Sequence, residues 1–308
     1  MSGARRIDPL HFKWHSHRVI GPNIQVFAAD RHRRTDKPEA DMQIRRVYLA
    51  FLSAFVLILF SDVYLAKEKS QLTVEQQREF LLNAEVIRAR QADKGTTNSY
   101  RLTLSDGKIM HDANFQSINK RRHHKGGEIN FVDSYLYNIA AYELAKLICL
   151  DDMLPTTIER KWRGNTGSMS WWLPVQMDER TRVEKNMQPP DFEAWNNSML
   201  KILVFTELIF DTDRSRENVL IGNNWELYMI DFTRAFRLHH FLMNPKSLLR
   251  CSRELLENLC ALDAEKLEAK VSKYLTNLEF EDILKRRDKL VSHFEKLIAE
   301  KGEDEVLN

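Results

Sequence analysis

Cysteine is scarce in this chain of 308 residues, and the three that occur, Cys149, Cys251 and Cys260, lie far apart. They form no CxxC pair, and none combines with histidine at the spacing of a metal site. An odd, scattered set excludes a disulfide-stapled domain and a zinc-binding module. We expect these thiols to be buried as small apolar side chains.

An excess of one charge is also lacking. The chain has 46 basic and 44 acidic side chains, a formal net charge of +2. A general nucleic-acid binder needs a concentrated basic surface to contact phosphates, so no nucleic-acid partner is expected. Internal repeats and low-complexity tracts are absent from the sequence. The length suits one large or two ordinary domains with a sizeable core.

The first 46 residues differ in composition from the rest. They contain ten Lys and Arg residues against five acids, a local balance of +5, with little apolar periodicity. Such a composition is typical of a flexible basic tail. Met42 is an alternative start, and most of the tail would then lie upstream of the protein, leaving MQIRR as a basic segment before the next region.

That next region, residues 47–66, is hydrophobic. The 14 residues from Val47 to Phe60 carry no charge, and every helical face of them is apolar, unlike the faces of a surface helix. They predict an N-terminal hydrophobic helix that is a signal peptide or a transmembrane anchor. The preceding basic residues place the domain after Lys67 outside the cytoplasm. A buried core helix is the alternative.

Residues 67–178 have the pattern of a small mixed β/α lobe. Thr73 and Gln76 form a capping box ahead of a single amphipathic helix whose apolar positions continue to Ile87. The dipeptide Asp106-Gly107 separates two alternating runs, which is a strong signal of a β-hairpin.

Helical patterns dominate the remaining chain. Residues 131–150 carry apolar side chains at helical spacing, and short runs with strand character follow them. Residues 179–308 predict a mainly helical C-terminal lobe that contains the loop described next. The chain as a whole is therefore predicted to be an α+β protein with a mixed N-terminal and a helical C-terminal lobe.

Three side chains able to bind a cation lie in the stretch DTDRSRENVLIGNNWELYMIDF. Asn218 follows Asp213 by five residues, and Asp231 follows Asn218 by thirteen. The intervening pattern is strand, Asn-Asn turn, strand, and a hairpin brings its two ends together. Phosphoryl transfer needs such a set, in which one Asp orients the acceptor hydroxyl while an Asn and another Asp hold Mg²⁺. A capped loop without metal is the alternative, since Asp and Asn favour turns.

The DRSREN segment beginning at Asp213 and the IDF triplet around Asp231 resemble the core motif of atypical kinases. These include phosphoinositide kinases, HipA-type kinases and the Golgi casein kinases, whose small lobe resembles NIAAYELAKLICLDDMLPTTIER. The resemblance spans residues 100–236. It implies a two-lobed protein-kinase-like fold that uses ATP with Mg²⁺ or Mn²⁺. It makes Asp213 and Arg214 catalytic, with Arg214 pairing with phosphate or bracing the loop, and makes Asn218 and Asp231 metal ligands.

Two positions depart from the kinase pattern. Such kinases pair a strand Lys with a Glu at the start of the next helix, whereas here Gln116 takes the Lys place and Asn138 the Glu place. A hydrogen bond between the two amides could preserve the geometry, but it supplies no positive charge to neutralise phosphate. The candidate substitutes are Lys120 or Lys125 for the cation and Glu128 or Glu143 for the carboxylate.

Two further features concern the nucleotide. No GxGxxG phosphate loop occurs, since the Gly-Gly of KGGEINF is too short a signal, and Thr233 takes the glycine place of the Asp-Phe-Gly-like triplet that begins at Asp231. The purine is expected to lie against the strand SWWLP, where Trp171 or Trp172 offers an apolar wall. Ordinary core packing is the alternative for these rings.

These features predict a phosphotransferase of kinase type that acts with Mg-ATP on a hydroxyl of a protein, sugar or lipid. A pseudokinase with altered catalysis is the first alternative, because both members of the ion pair are replaced. A binding protein of the cell envelope that recognises a glycan or peptide is the second. The tryptophans that suit sugar stacking are Trp162, Trp171, Trp172 and Trp195.

Overall fold

The computed structural model describes residues 72–91, 99–125 and 128–308, without the side chains of residues 122–130. The basic tail 1–46 and the hydrophobic segment 47–66 lie outside the described residues, so the expectations for both stay predictions. Within the described part, none of the helices combines the length and hydrophobicity needed to cross a bilayer.

The described chain is an α+β protein with most of its strands in the first half and a helical C-terminal part, as predicted. The strands are β1 (Glu85–Gln91), β2 (Ser99–Ser105), β3 (Met110–Gln116), β4 (Asn119–Lys125), β5 (Glu128–Ser134), β6 (Thr157–Trp162), β7 (Asn165–Trp171), β8 (Val175–Asp178), β9 (Val219–Gly222) and β10 (Leu227–Met229). The helices are α1 (Val74–Asn83), α2 (Leu136–Leu147), α3 (Glu179–Glu184), α4 (Phe192–Ile209), α5 (Arg253–Cys260), α6 (Ala264–Val271), α7 (Asn277–Lys301) and α8 (Glu303–Val306). Short 3-10 turns cover Asp151–Met153, Arg216–Asn218 and Pro245–Ser247.

Antiparallel pairing joins the strands of the described residues into three sheets. The largest has the order β1-β2-β3-β7-β6, a second has the order β10-β9-β8, and β4 pairs with β5. The chain leaves the first sheet after Trp171 and enters the second at Val175. The predicted lobe boundary between residues 178 and 179 lies close to this change and stays a prediction.

The capping box at the start of α1 is confirmed. Oγ1 of Thr73 accepts the backbone N–H of Gln76 at 3.2 Å, and Oε1 of Gln76 accepts the N–H of Thr73 at 2.9 Å. The predicted continuation of this helix to Ile87 is wrong, because α1 ends at Asn83 and Ile87 lies in β1. Pairing with β2 gives the backbone of this segment its hydrogen bonds, which outweighs its weak helical periodicity.

The Asp106-Gly107 hairpin is also confirmed. It joins β2 to β3, with Ser105 opposite Met110. Gly107 has a φ of +84°, a conformation that glycine adopts without steric cost. Oδ1 of Asp106 accepts the backbone N–H groups of Lys108 and Ile109, at 2.9 Å each. The hairpin sets the register of β3, the strand that ends at Gln116.

Helix α2 joins the sheet to the C-terminal helices. It begins at Leu136, so the helical pattern predicted from residue 131 is corrected, since residues 131–134 belong to β5. Two hydrophobic clusters occur among the described residues: a smaller one between α1 and the first sheet, and a larger one that unites α2 with α4 and the C-terminal helices. Because α2 belongs to the larger cluster, Asn138 at its start is held in a fixed position.

The cysteines only partly meet expectation. All three thiols are free, and only Cys251 is buried, which raises its pKa to about 12. Cys149 and Cys260 are exposed, so the prediction that they are buried is wrong. Cys149 follows α2 in a left-handed turn with a φ of 55°, which removes it from the buried face of that helix.

Candidate functional site

The loop that carries Asp213 is shaped by a buried acid. Helix α4 ends at Ile209, and Phe210 adopts the left-handed conformation that stops it. Asp211 is buried; its Oδ1 accepts the backbone N–H of Asp213 at 3.0 Å, and its Oδ2 accepts Nη2 of Arg214 at 2.6 Å. These bonds fold the loop back on itself and leave the Asp213 side chain half exposed.

Arg214 connects this loop to the hairpin that follows. Its Nη1 donates to the backbone carbonyls of Asn218 at 3.0 Å and of Ile230 at 2.6 Å, and its guanidinium lies 4.5 Å from the ring centre of Phe232. The Arg214 side chain is nearly buried and braces the loop against the backbone of the hairpin.

The predicted hairpin is formed by β9 and β10, and its open end carries Asn218 and Asp231. Val219 pairs with Met229, and the N–H of Ile230 donates to the carbonyl of Asn218 at 3.1 Å. Nδ2 of Asn218 donates to the backbone carbonyl of Asp213 at 3.1 Å. Asn218 would therefore bind a cation through Oδ1, beside the loop of Asp213 on one side and Asp231 on the other.

Asp231 has a strained backbone and a destabilised charge. Its φ of 57° is uncommon for a residue other than glycine, and such strain is concentrated at functional sites. Burial raises the pKa of its carboxyl group and the nearby Asp133 adds to this, while the Thr233 hydroxyl, which donates to Oδ1 at 3.1 Å, opposes it. A cation beside Asp231 would offset this unfavourable charge.

The donor set fits a cation that is shared with a ligand. The described residues contain no group of three or more His, Cys, Asp or Glu side chains able to hold a metal by themselves. Mg²⁺ is usually bound by one or two carboxylates together with substrate phosphates and waters. The carboxylate of Asp231 and the amide oxygen of Asn218 are donors of this kind.

Asn138 is the centre of a buried network of amide hydrogen bonds. Its Nδ2 donates to Oε1 of Gln116 at 2.6 Å and to Oγ of Ser168 at 3.0 Å. Its Oδ1 accepts the backbone N–H of Phe232 at 2.8 Å. The hydrogen bond between Gln116 and Asn138 that sequence suggested is present, and the network ties β3 and β7 to the residue after Asp231. Sequence gave no signal for Ser168 or for the Phe232 contact.

The substitutes considered for the missing ion pair are placed elsewhere or not described. The Glu143 carboxylate pairs with Lys146 at 2.8 Å and with Arg78 at 3.9 Å, on the side of α2 that faces α1. Lys120 lies exposed on β4. The side chains of Lys125 and Glu128 lie outside the described ones. Among the described side chains, the buried pair at this position is thus the neutral one of Gln116 and Asn138.

The two tryptophans of SWWLP lie on opposite faces. Trp171 pairs with Ala113 across β3 and β7, and its ring stacks on His111 with a centroid separation of 3.6 Å. Trp172 comes next, so alternation points it to the face that carries Gln116 and Ser168. The guanidinium of Arg101 lies 4.1 Å from the Trp172 ring centre. Of the two, Trp172 is the ring on the side of the amide network.

Arg234 and Asp133 are site residues that sequence reasoning missed. Nη1 of Arg234 donates to Oδ2 of Asp213 at 2.9 Å, and Nε donates to Oδ2 of Asp133 at 3.1 Å. Burial opposes the charge of Arg234, but its bond to Asp133 and the carboxylates of Asp213 and Asp231 raise its pKa. The only sequence signal for Arg234 was its place three residues after Asp231; Asp133 gave none.

Comparisons with known proteins bear on the fold. No protein-family model matches the sequence, and no curated protein matches it significantly. A solved structure of hydra Fam20 with sugar matches with a TM-score of 0.55 at 14% identity, covering 76% of this chain and 92% of that one. A Golgi casein kinase matches at 0.54 and 13% identity, covering 76% and 77% of the two chains. The Golgi casein kinase with Mn/ADP bound also matches at 0.54, with 12% identity and coverage of 76% and 78%. The chain has an atypical-kinase-like fold, which confirms the resemblance at the level of structure.

Proposed function

We propose that this protein is a phosphotransferase of kinase type that binds ATP with a divalent cation and phosphorylates a hydroxyl group. The observation that carries the proposal is the meeting of Asp213, Asn218 and Asp231 at the open end of one hairpin, with Arg214 tying loop and hairpin together. A capped turn would not require the left-handed backbone of Asp231 or a partly buried carboxylate there whose pKa is raised.

Each residue has a role in this mechanism. The carboxylate of Asp231 and Oδ1 of Asn218 hold the cation, Mg²⁺ or Mn²⁺, which neutralises phosphate charge when bound. Asp213, half exposed at the loop surface, orients the acceptor hydroxyl and takes up its proton. Arg214 and Asp211 keep the loop in position, and Trp172 offers a wall for the purine. Support for nucleotide and metal comes from a structural neighbour whose structure contains Mn/ADP.

The acceptor and the site of action belong to the same proposal. Sugar is one acceptor class, supported by the neighbouring hydra Fam20 structure, which contains sugar; protein and lipid hydroxyls are the others. We propose that residues 47–66 direct or anchor the domain outside the cytoplasm, because residues 47–60 carry no charge and follow a basic tail. Modification of an N-glycosylation acceptor site placed in the domain of the full chain, expressed in a eukaryotic cell, tests this, and an acceptor site that stays unmodified would contradict it.

The first test is a thermal-shift titration with ATP and with Mg²⁺ or Mn²⁺. A ligand that binds only the native state at 100 times its Kd adds about 2.7 kcal/mol of stability, which corresponds to roughly 5–10 °C for a domain of this size. We expect Asp231→Asn to abolish the metal-dependent part of this shift. The matched control is Asp304→Asn on the exposed surface of α8. An undiminished metal-dependent shift in Asp231→Asn would refute the assignment of the cation site.

The same variant has a second expected property. A carboxylate with a raised pKa stabilises the fold when protonated at low pH, and this contribution is lost as pH rises through the raised value. Asparagine resembles the protonated form and tolerates the left-handed backbone. Without ligand at pH 7, Asp231→Asn should therefore melt no lower than the wild type. A clear loss of melting temperature would indicate a structural rather than a ligand-binding role.

The pseudokinase alternative is favoured by a specific observation, the neutral pair of Gln116 and Asn138. We expect Gln116→Lys alone to destabilise the protein by about 2 kcal/mol or more, since it buries an unpaired ammonium. Adding Asn138→Glu should recover stability with a coupling of about 1 kcal/mol or more, because the carboxylate can also accept the N–H of Phe232. Chemical denaturation of wild type, Gln116→Lys, Asn138→Glu and the double variant measures this coupling.

Phosphoryl transfer by the same four proteins separates the two functions. If the double variant gains nucleotide affinity and turnover over a wild type that has almost none, the pseudokinase alternative is supported. A wild type that already turns over, with no gain in the double variant, supports the kinase proposal. Absence of stability coupling would mean that the two positions do not act as a pair.

A further inference from the structure

Phosphate binding at this site needs a positive charge that the amide network does not provide. Gln116 and Asn138 satisfy each other as neutral groups. The guanidinium of Arg214 already donates to Asp211 and to two backbone carbonyls, and the side chain is nearly buried. A triphosphate bound between Asp231 and these residues would need a second cationic partner besides the metal ion, as strong recognition of phosphate by proteins normally uses charged donors.

Arg234 is a cation next to all three site carboxylates. It follows Asp231 by three residues and bridges Asp133 on β5 and Asp213 on the loop after α4. Its planar guanidinium presents several donors in a fixed fork, which suits the oxygen atoms of a phosphate. The sequence pattern predicted no role for Arg234.

The ion pairs of Arg234 with Asp133 and with Asp213 differ in their surroundings. The side chain of Asp133 is 6% exposed, whereas that of Asp213 is 50% exposed and that of Arg234 is 21% exposed. An ion pair with an exposed carboxylate contributes little and is readily exchanged. Breaking a buried pair is costly, because a charge would remain unpaired in a low dielectric. Asp133 is therefore the anchor of Arg234, and Asp213 is the partner that a ligand can replace.

Asp133 can accept a further hydrogen bond from Arg234. Its buried Oδ1 has no hydrogen-bond partner among the described residues. A carboxylate with one oxygen bound and one without a partner favours a guanidinium that turns to give it a second bond. Such a turn would take Nη1 away from Asp213. The hydrogen bond lost to Asp213 would then be compensated by a new one to Oδ1 of Asp133.

We propose that Arg234 is the phosphate-binding residue of this site, held by Asp133 and paired with Asp213 only while no nucleotide is bound. The inference rests on the proposed function. When phosphate takes the place of the Asp213 carboxylate on the guanidinium, the Asp213 side chain becomes available to contact the acceptor hydroxyl. Arg234 would thus supply the positive charge that, in the kinases this chain resembles, comes from a lysine at the position of Gln116.

The test compares the binding of ADP and of adenosine by calorimetry, with and without Mn²⁺. Wild type is expected to bind ADP more tightly than adenosine. In Arg234→Gln, the affinity for ADP should fall about tenfold to hundredfold, which is the effect of one charge-assisted hydrogen-bonded contact. The affinity for adenosine should not change. Arg234→Lys should recover part of the ADP affinity, and Arg253→Gln, an exposed and ion-paired arginine on α5, is the matched control.

The outcomes distinguish the inference from the proposed function. Equal ADP affinity in wild type and Arg234→Gln overturns the inference, while loss of the Mn²⁺ effect in Asp231→Asn would still support the proposed function. A parallel loss of ADP and adenosine affinity also overturns it, because a general disturbance of the fold explains that result. A wild type that binds neither ligand overturns the inference and the proposed function together.

Discussion

Asp213→Asn is expected to slow phosphoryl transfer by about 10²–10⁴-fold, the usual contribution of a positioned general base. Nucleotide affinity should stay the same or rise slightly. The asparagine keeps the backbone carbonyl that accepts Nδ2 of Asn218, so the loop is retained. It loses an ion pair with Arg234 at an exposed carboxylate, which costs little stability. Turnover and calorimetric Kd of the same preparations measure both effects.

The control for this prediction is Asp288→Asn, another exposed aspartate that pairs with an arginine. It should leave turnover and nucleotide affinity unchanged. If Asp213→Asn retains turnover within about threefold of wild type, a general base is not needed at this position. If nucleotide binding is lost as well, the residue acts through the structure of the loop.

Arg286→Met is expected to cause the largest loss of stability, about 3–5 kcal/mol, because several hydrogen bonds to carbonyls are lost together. Arg286 is fully buried on α7, and burial lowers its pKa to about 10. Its Nε donates to the carbonyl of Leu208 at 2.7 Å, and its Nη1 donates to the carbonyls of Arg237, at 3.3 Å, and His239. Methionine keeps the volume but removes the donor from three carbonyls, of which those of Leu208 and Arg237 are buried and cost about 1–3 kcal/mol each when left without a partner.

Thermal unfolding of Arg286→Met should show a decrease of roughly 6–15 °C relative to wild type. Lys289→Met is the matched control, because Lys289 is exposed on the same helix and its replacement should change little. Nucleotide binding should weaken too, since Arg286 joins the end of α4 to the chain after Asp231. An unchanged melting temperature would mean that removal of the buried charge fully offsets the lost hydrogen bonds.

The catalytic-type loop could be predicted because its information is local. Asp213, Asn218 and Asp231 fall within one hairpin and its preceding loop. The Asn-Asn turn between two strand patterns predicts that the two ends of the hairpin meet. The α1 capping box and the Asp106-Gly107 turn are local in the same sense. Gln116 and Asn138 were paired through a family resemblance, and their hydrogen bond is part of the structure.

The errors arose where tertiary context overrides local pattern. The segment around Ile87 continues a helical periodicity, yet pairing with β2 makes it a strand. Residues 131–134 have helix-like apolar spacing but pair with β4. Cys149 leaves the buried face because the chain turns at the end of α2. In each case the available partner strand or turn decided the conformation, as propensity is a weak signal.

By itself, the sequence determined the helix cap and the hairpins and placed the candidate metal ligands at one hairpin end, because turn chemistry and periodicity act over a few residues. Only the tertiary structure decided which charges meet. Arg234 contacts an aspartate 101 residues away, and Arg286 contacts a carbonyl 78 residues away. No spacing encodes such contacts, since they depend on how distant elements pack. That packing also determines that one carboxylate partner of Arg234, Asp133, is buried while the other, Asp213, is exposed.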